Sequence, residues 1–125
     1  MFESLSVTRM ASALASHAGA RLGLIARNVA QADTPGYRAM DLPDFAASYQ
    51  DQEPARATRV GHFTTVGQMM QPFLRASGGE GSPDGNTVSL EHELVKSVEV
   101  RQQHDMAMAV YKNTADIIRA SLGRR

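Results

Sequence analysis

The sequence predicts a mainly α chain, with two long terminal helices packed as an antiparallel, coiled-coil-like pair and an irregular, partly extended middle segment. Three observations carry that expectation. Apolar residues recur at helical spacing from Val7 to Val29 and again from Leu90 to Leu122. Between these stretches Pro43, Pro54, Pro72 and Pro83, with Gly78, Gly79, Gly81 and Gly85, break any long regular element. And a compact domain of this size has a diameter of only about 36 Å. The two helices would be roughly 39 Å and 50 Å long at 1.5 Å per residue.

The first helix is expected over about Ser6 to Gln31. Val7, Ala11, Leu14, Ala18, Leu22, Ile25 and Val29 follow one another at spacings of four or three and form a narrow stripe. Their mean spacing of about 3.7 suits a straight or slightly right-handed seam better than a left-handed heptad coil. On the opposite side Ser12, Ser16, Gly19, Ala20 and Gly23 are small. They either admit another backbone closely or are merely tolerated, at about 1 kcal/mol per glycine.

The helix is then stopped. Asn28 lies one turn from its end, placed to bond across to a neighbouring helix or back onto the turn. Asp33 and Thr34 have short side chains that satisfy local N–H groups. Pro35 cannot extend the helix and biases Thr34 away from helical angles. Gly36 suits the positive φ of a type II turn, and Tyr37 offers a ring to cover the helix end. Units 1–37, 38–86 and 87–125 follow from this punctuation. In the middle unit, Thr58 to Val66 has the β-branched content of a short strand or hairpin arm, and GGEGSPDGN reads as a flexible or turn-rich linker.

The second helix is expected over Ser89 to Leu122, with Ser89 at the N-cap, Glu91 and Glu93 in the first turn, Arg119 in the last and Gly123 closing it. Leu90, Leu94 and Val98 begin one apolar face. Met108, Tyr111, Ala115, Ile118 and Leu122 form a 3-4-3-4 run. Polar residues from Arg101 to Asp105 separate them, so the stripe changes face in mid-helix. Either the helix bends there or its halves meet different partners. Helices this long leave apolar seams over, and such seams on a chain of this kind mark interfaces. The expected assembly surface is the first-helix stripe together with Leu94, Val98, Met108, Tyr111, Ala115, Ile118 and Leu122.

Composition excludes several other functions. Lys plus Arg equals Asp plus Glu at 13 each, which argues against a nucleic-acid binder held by bulk charge. There is no cysteine, hence no disulfide, thiolate nucleophile or Cys-ligated zinc. The N-terminal stretch does not read as a secretory signal, and no apolar run is long enough to span a membrane. His92-Glu93 begins like a zinc-protease helix, but Lys96 stands where the second His belongs. His17, His62, His92 and His104 have no ligand spacing. Asp41 and Asp44 are read as solvated loop carboxylates. No catalytic residue, metal or cofactor is expected.

The run Asn28-Val29-Ala30-Gln31-Ala32-Asp33-Thr34-Pro35-Gly36-Tyr37 resembles the N-terminal signature of the bacterial flagellar axial proteins, the rod and hook family, with Gln31 where that signature has a second Asn. The short length, the run Gly85 to Glu91, Thr58 to Phe63 with His62, and the aromatic Tyr111 resemble the proximal rod type within it. The resemblance implies a structural subunit whose terminal helices pack together and then against neighbours. The product is a hollow shaft in the periplasmic part of the flagellar basal body, transmitting torque and passing exported subunits. It implies as partners further copies of the chain, other rod proteins and the membrane-ring and export-gate junction proteins. Delivery would be by the flagellar type III export apparatus without a cleaved signal. The alternatives are another rod protein of the same family, or a cytoplasmic helical adaptor or chaperone-type protein binding one partner helix by the same stripes.

Overall fold

The computed structural model describes residues 2–50, 73–74 and 82–123. Helix α1 (Phe2–Ala30) and helix α3 (Leu90–Leu122) lie against each other along most of their length. They run antiparallel: Asn28 near the end of α1 bonds Glu93 near the start of α3, and Ala11 meets the same groove as Ala107. Between them come strand β1 (Met40–Asp41), the short helix α2 (Phe45–Gln50) and strand β2 (Phe73–Leu74). The strands pair antiparallel, with Met40 opposite Leu74 and Asp41 opposite Phe73. The mainly α pair with an irregular middle is therefore the architecture of the chain. Thr58 to Val66 lies outside the described residues.

Helix α1 begins four residues earlier than the apolar period alone indicates. Its stripe faces α3: Ala11, Ala18 and Ile25 are buried, Leu22 and Val29 pack on the cluster formed by Ala18, Ile25 and Val100, and Leu14 is half-buried. Val7, nearer the start of α1, is exposed. A Cβ on Gly19 or Gly23 would meet nothing within 4 Å, so no described part of the chain approaches the small-residue face.

Helix α3 is one unbroken element, and its contact with α1 does not switch face. The buried residues Glu93, Val100 and Ala107 fall seven apart, on one seam. Of the stripe read from the sequence, Leu90, Leu94 and Val98 lie off that seam and are exposed, whereas Tyr111, Ala115, Ile118 and Leu122 fall within about 60° of it, Ala115 and Ile118 half-buried and Tyr111 and Leu122 exposed; Met108, beside them, is exposed. The physical reason is that α3 turns small and polar residues inward. Ala107 and Val100 let the helix axes approach, and Glu93 has a partner in Asn28. The ends follow expectation in part. Ser89 is extended and its carbonyl accepts from Glu93 N at 3.0 Å, although its hydroxyl makes no cap bond, and Gly123 N closes the far end on Arg119 O at 2.8 Å.

The packing predicts a contrast. Ile25→Ala removes side-chain volume from the core and is expected to lower unfolding stability by about 2–4 kcal/mol. Val98→Ala, on the exposed face, is expected to change it by less than about 0.5 kcal/mol. Denaturant titration of both variants checks this.

Candidate assembly surface

The surface rests on an elbow centred on the buried amide of Asn28. Asn28 is 1% exposed. Its amide nitrogen donates to Met40 O at 2.8 Å and to Glu93 Oε2 at 3.1 Å. Its oxygen accepts from Met40 N at 3.1 Å and from the Tyr37 hydroxyl at 3.2 Å. A primary amide has two donor and two acceptor positions, and all are used. Asn28 thus bonds the neighbouring helix and the turn at once. Toward Met40 it acts as a strand would, taking both backbone groups.

The turn itself forms as its residues dictate. Tyr37 N reaches Thr34 O at 3.3 Å across Pro35 and Gly36, and Gly36 has φ 71°, the left-handed value a type II turn requires at that position. Gln31 accepts the Thr34 hydroxyl through Oε1 at 2.6 Å. The segment before α3 completes the elbow. Asn86, buried, directs its amide nitrogen at the carbonyls of Gln31, Ala32 and Thr34 at 3.0, 2.7 and 2.9 Å, capping the end of α1 from a distant part of the chain. Thr87 N donates to Tyr37 O, Ala39 N donates to the Thr87 hydroxyl, and Gly36 N donates to Asp84 O. Gly85, at φ 82°, sits against Gly36, whose Cα would be 3.6 Å from an added Cβ. The described part of the expected linker, Ser82 to Asn86, is therefore a bonded turn.

Beside the elbow lies an ionic cluster that the sequence reading placed in solvent. Asp41 is buried. Arg21 of α1 grips it with two bonds, Nε to Oδ1 at 2.8 Å and Nη2 to Oδ2 at 3.2 Å, and Lys96 of α3 also bonds Oδ2. Leu42 N donates to Oδ1 at 2.8 Å. Asp44 does remain exposed, touching Arg21 at 3.4 Å. Burial pushes the Asp41 carboxyl up, but the bonds and charges of Arg21 and Lys96 outweigh it and bring it down to about 2. Arg21 is raised by its bond to Asp41. One carboxylate thereby joins α1, β1 and α3.

With α1 and α3 so fixed, the outward face of α3 is set. Val95, Val98 and Ile117 are exposed and fall within an arc of about 100° on the side away from the Glu93–Val100–Ala107 seam, whereas the exposed Met106 and Val110 line a groove with Met10 and Leu14 of α1. Gln102 and Asn113 lie on the same arc. Of the expected surface residues, Val98 belongs to this face, with Leu94 at its edge. Met108, Tyr111 and Leu122 are exposed on the flank nearer α1, and the α1 stripe is used within the chain, except at Val7. Val95, Met106, Val110 and Ile117 were not singled out from the sequence. Plotting every large apolar residue of α3 on a helical projection, without choosing the best seam first, would have shown them.

His92 is exposed and His104 half-buried, and among the described residues no group of His, Asp and Glu is arranged to hold a metal. No helix among them is long and apolar enough to cross a membrane. No family model matches the chain, and no curated protein matches it.

Asp41→Asn leaves Arg21 and Lys96 facing a neutral amide and is expected to cost about 3 kcal/mol of stability. Asp41 titrates at about 2 in the fold against 3.8 as the free side chain. Its contribution of about 2 kcal/mol is therefore fully present above the free value and lost as pH falls through the folded one. Acid unfolding followed by circular dichroism is expected to show this loss in the parent chain and not in Asp41→Asn.

Proposed function

We propose that the chain is a structural subunit of the bacterial flagellar rod, of the proximal rod type, and assembles through its helices with copies of itself and with other rod proteins. The observation that carries this reading is the outward face of α3, where Val98 and Ile117 are 68% and 67% exposed on a helix already packed against α1 along its other side. A long helix pair with apolar surface left over lowers its free energy by covering that surface with further helices.

The elbow supports the same reading. In the Asn28-to-Tyr37 run that resembles the axial-protein signature, Asn28 bonds α3, and Gln31, Ala32, Thr34, Gly36 and Tyr37 bond the segment before it. A subunit that transmits torque needs a fixed angle between its helices and the chain leaving them, and these bonds supply one. Membership of the rod implies, in turn, a place in the periplasmic basal body, neighbours at the membrane ring and export gate, and export by the type III apparatus. The role asks for no catalytic group or cofactor.

The test is cellular and structural together. In the bacterium that carries the chain, its deletion is expected to abolish motility, and the protein is expected in purified basal bodies. Confinement to the soluble cytoplasm would instead identify a helical adaptor. Val98→Asp is the diagnostic substitution, because Val98 lies outside the core. It is expected to leave the helicity and unfolding midpoint of the isolated chain within error while abolishing rod assembly, since a buried unpaired charge costs several kcal/mol at a contact. Leu22→Asp is less informative, because Leu22 packs on the chain's own core. Wild-type motility with Val98→Asp would remove α3's outward face from the assembly.

A further inference from the structure

His17 of α1 is 2% exposed and sits where α2 meets the helix pair. Its Nε2 lies 2.9 Å from Pro43 O. A carbonyl only accepts, so Nε2 donates, and in the neutral ring Nδ1 is left as a lone pair. Among the described residues nothing pairs with Nδ1. The ring meets Phe45 of α2 edge-on, with centroids 5.6 Å apart, and Phe45 lies against Tyr49 at 5.2 Å. Phe45 and Tyr49 form one wall of an apolar groove of about 400 Å³, whose other walls include Met10 and Leu14 of α1 and Met106 and Val110 of α3.

The charges around the ring come from each neighbouring element. Burial is the largest influence and holds the imidazole below its usual range. Arg21, one turn along α1, acts in the same direction. Asp41 of β1, Asp44 ahead of α2 and the bond to Pro43 act against it. From α3, Lys96 bonds Asp41 and Glu99 acts on Arg21, so both bear on His17 through the same cluster.

We propose that His17 is a proton-operated latch on α2: neutral, it fastens the segment from Pro43 to Tyr49 to the helix pair; protonated, it releases that segment and bares the apolar groove. A second proton, on Nδ1, puts a charge and an N–H without an acceptor into a buried site beside Arg21. The ring and the segment relieve this by parting. The six-residue α2 is the element that yields, because no ladder bonds it to either long helix, whereas α1 is held by the whole seam. Release brings the imidazole back toward its usual value of 6.5, so the latched state weakens as pH falls below that value.

The experiment follows the full chain by NMR and with an apolar fluorescent dye between about pH 7.5 and 5, above the carboxylate range. Three readouts are taken: the His17 ring titration, exchange of the Ser48 amide, which bonds Asp44 O at 3.0 Å, and dye fluorescence. Ser48 exchange, corrected for its intrinsic pH dependence, is expected to accelerate about tenfold or more as His17 protonates. Dye fluorescence is expected to rise with the same midpoint. His17→Gln keeps a donor for Pro43 O and cannot titrate, so its response is expected to be flat over this range. An equal acid response in His17→Gln overturns the latch, as does Ser48 exchange in the parent chain that does not change while the ring titrates. A midpoint near that of free carboxylates also overturns it. If His17→Gln does not fold, coincidence or separation of the ring and amide midpoints in the parent chain decides.

Discussion

Asn28 is the side chain on which the elbow depends. One buried amide satisfies four groups on three parts of the chain: the Tyr37 hydroxyl, both backbone groups of Met40, and Glu93 of α3. No other polar side chain of that size presents two donors and two acceptors in one plane. Asp in its place would lose both donors and set a second carboxylate against Glu93. Leu would remove all four of these bonds. The fixed end of the helix pair, the exit direction of the chain and the register of α3 against α1 all pass through this residue.

The ionic cluster at Asp41 does related work by different means. Arg21 and Lys96 come from opposite helices, and among the described residues neither has another acid as close, so the strand carrying Asp41 is clamped between them. A buried ion pair is weak evidence for net stability, because desolvation offsets much of the attraction. Its consequence here is placement. Once Asp41 is held, Leu42 is directed into the core and Pro43 is brought to His17. The charged and amide clusters both sit at the elbow half of the molecule. Beyond Ala107 no described residue of α3 is buried.

The legible parts of the fold were those whose determinants are local. The α1 stripe is legible because its apolar residues are also its inward residues, and the Thr34–Tyr37 turn because Pro35 and Gly36 restrict their own backbone. The first half of α3, up to Ala107, was not legible, whereas the run from Tyr111 to Leu122 continues the seam's face. Periodicity assigns the most apolar face to the interior, and in α3 the interior face is Glu93, Val100 and Ala107, less apolar than what it leaves outside. Asp41 was misplaced because its partners stand 20 and 55 residues away, at Arg21 and Lys96. The one local hint was a carboxylate flanked by Met40 and Leu42. Helix α2 was missed because six residues between Pro43 and Pro54 hold too few turns for a period to show.

The inversion in α3 is the feature that most needs a physical reason. An ordinary amphipathic helix lowers its free energy by turning its largest apolar residues inward. Here Val95, Val98 and Ile117 point out while Ala107 and Val100 point in. Small residues at the α1 seam bring the helices close but bury little area, so the pair alone gains less than its sequence offers, at about 25 cal/mol for each Å² of apolar surface removed from water. The exposed face holds that gain in reserve. A second surface covering it would recover the difference without disturbing the seam, because the elbow already fixes which way α3 faces. A helix patterned this way is held by its own chain along one side and would gain further from any surface that covered the other.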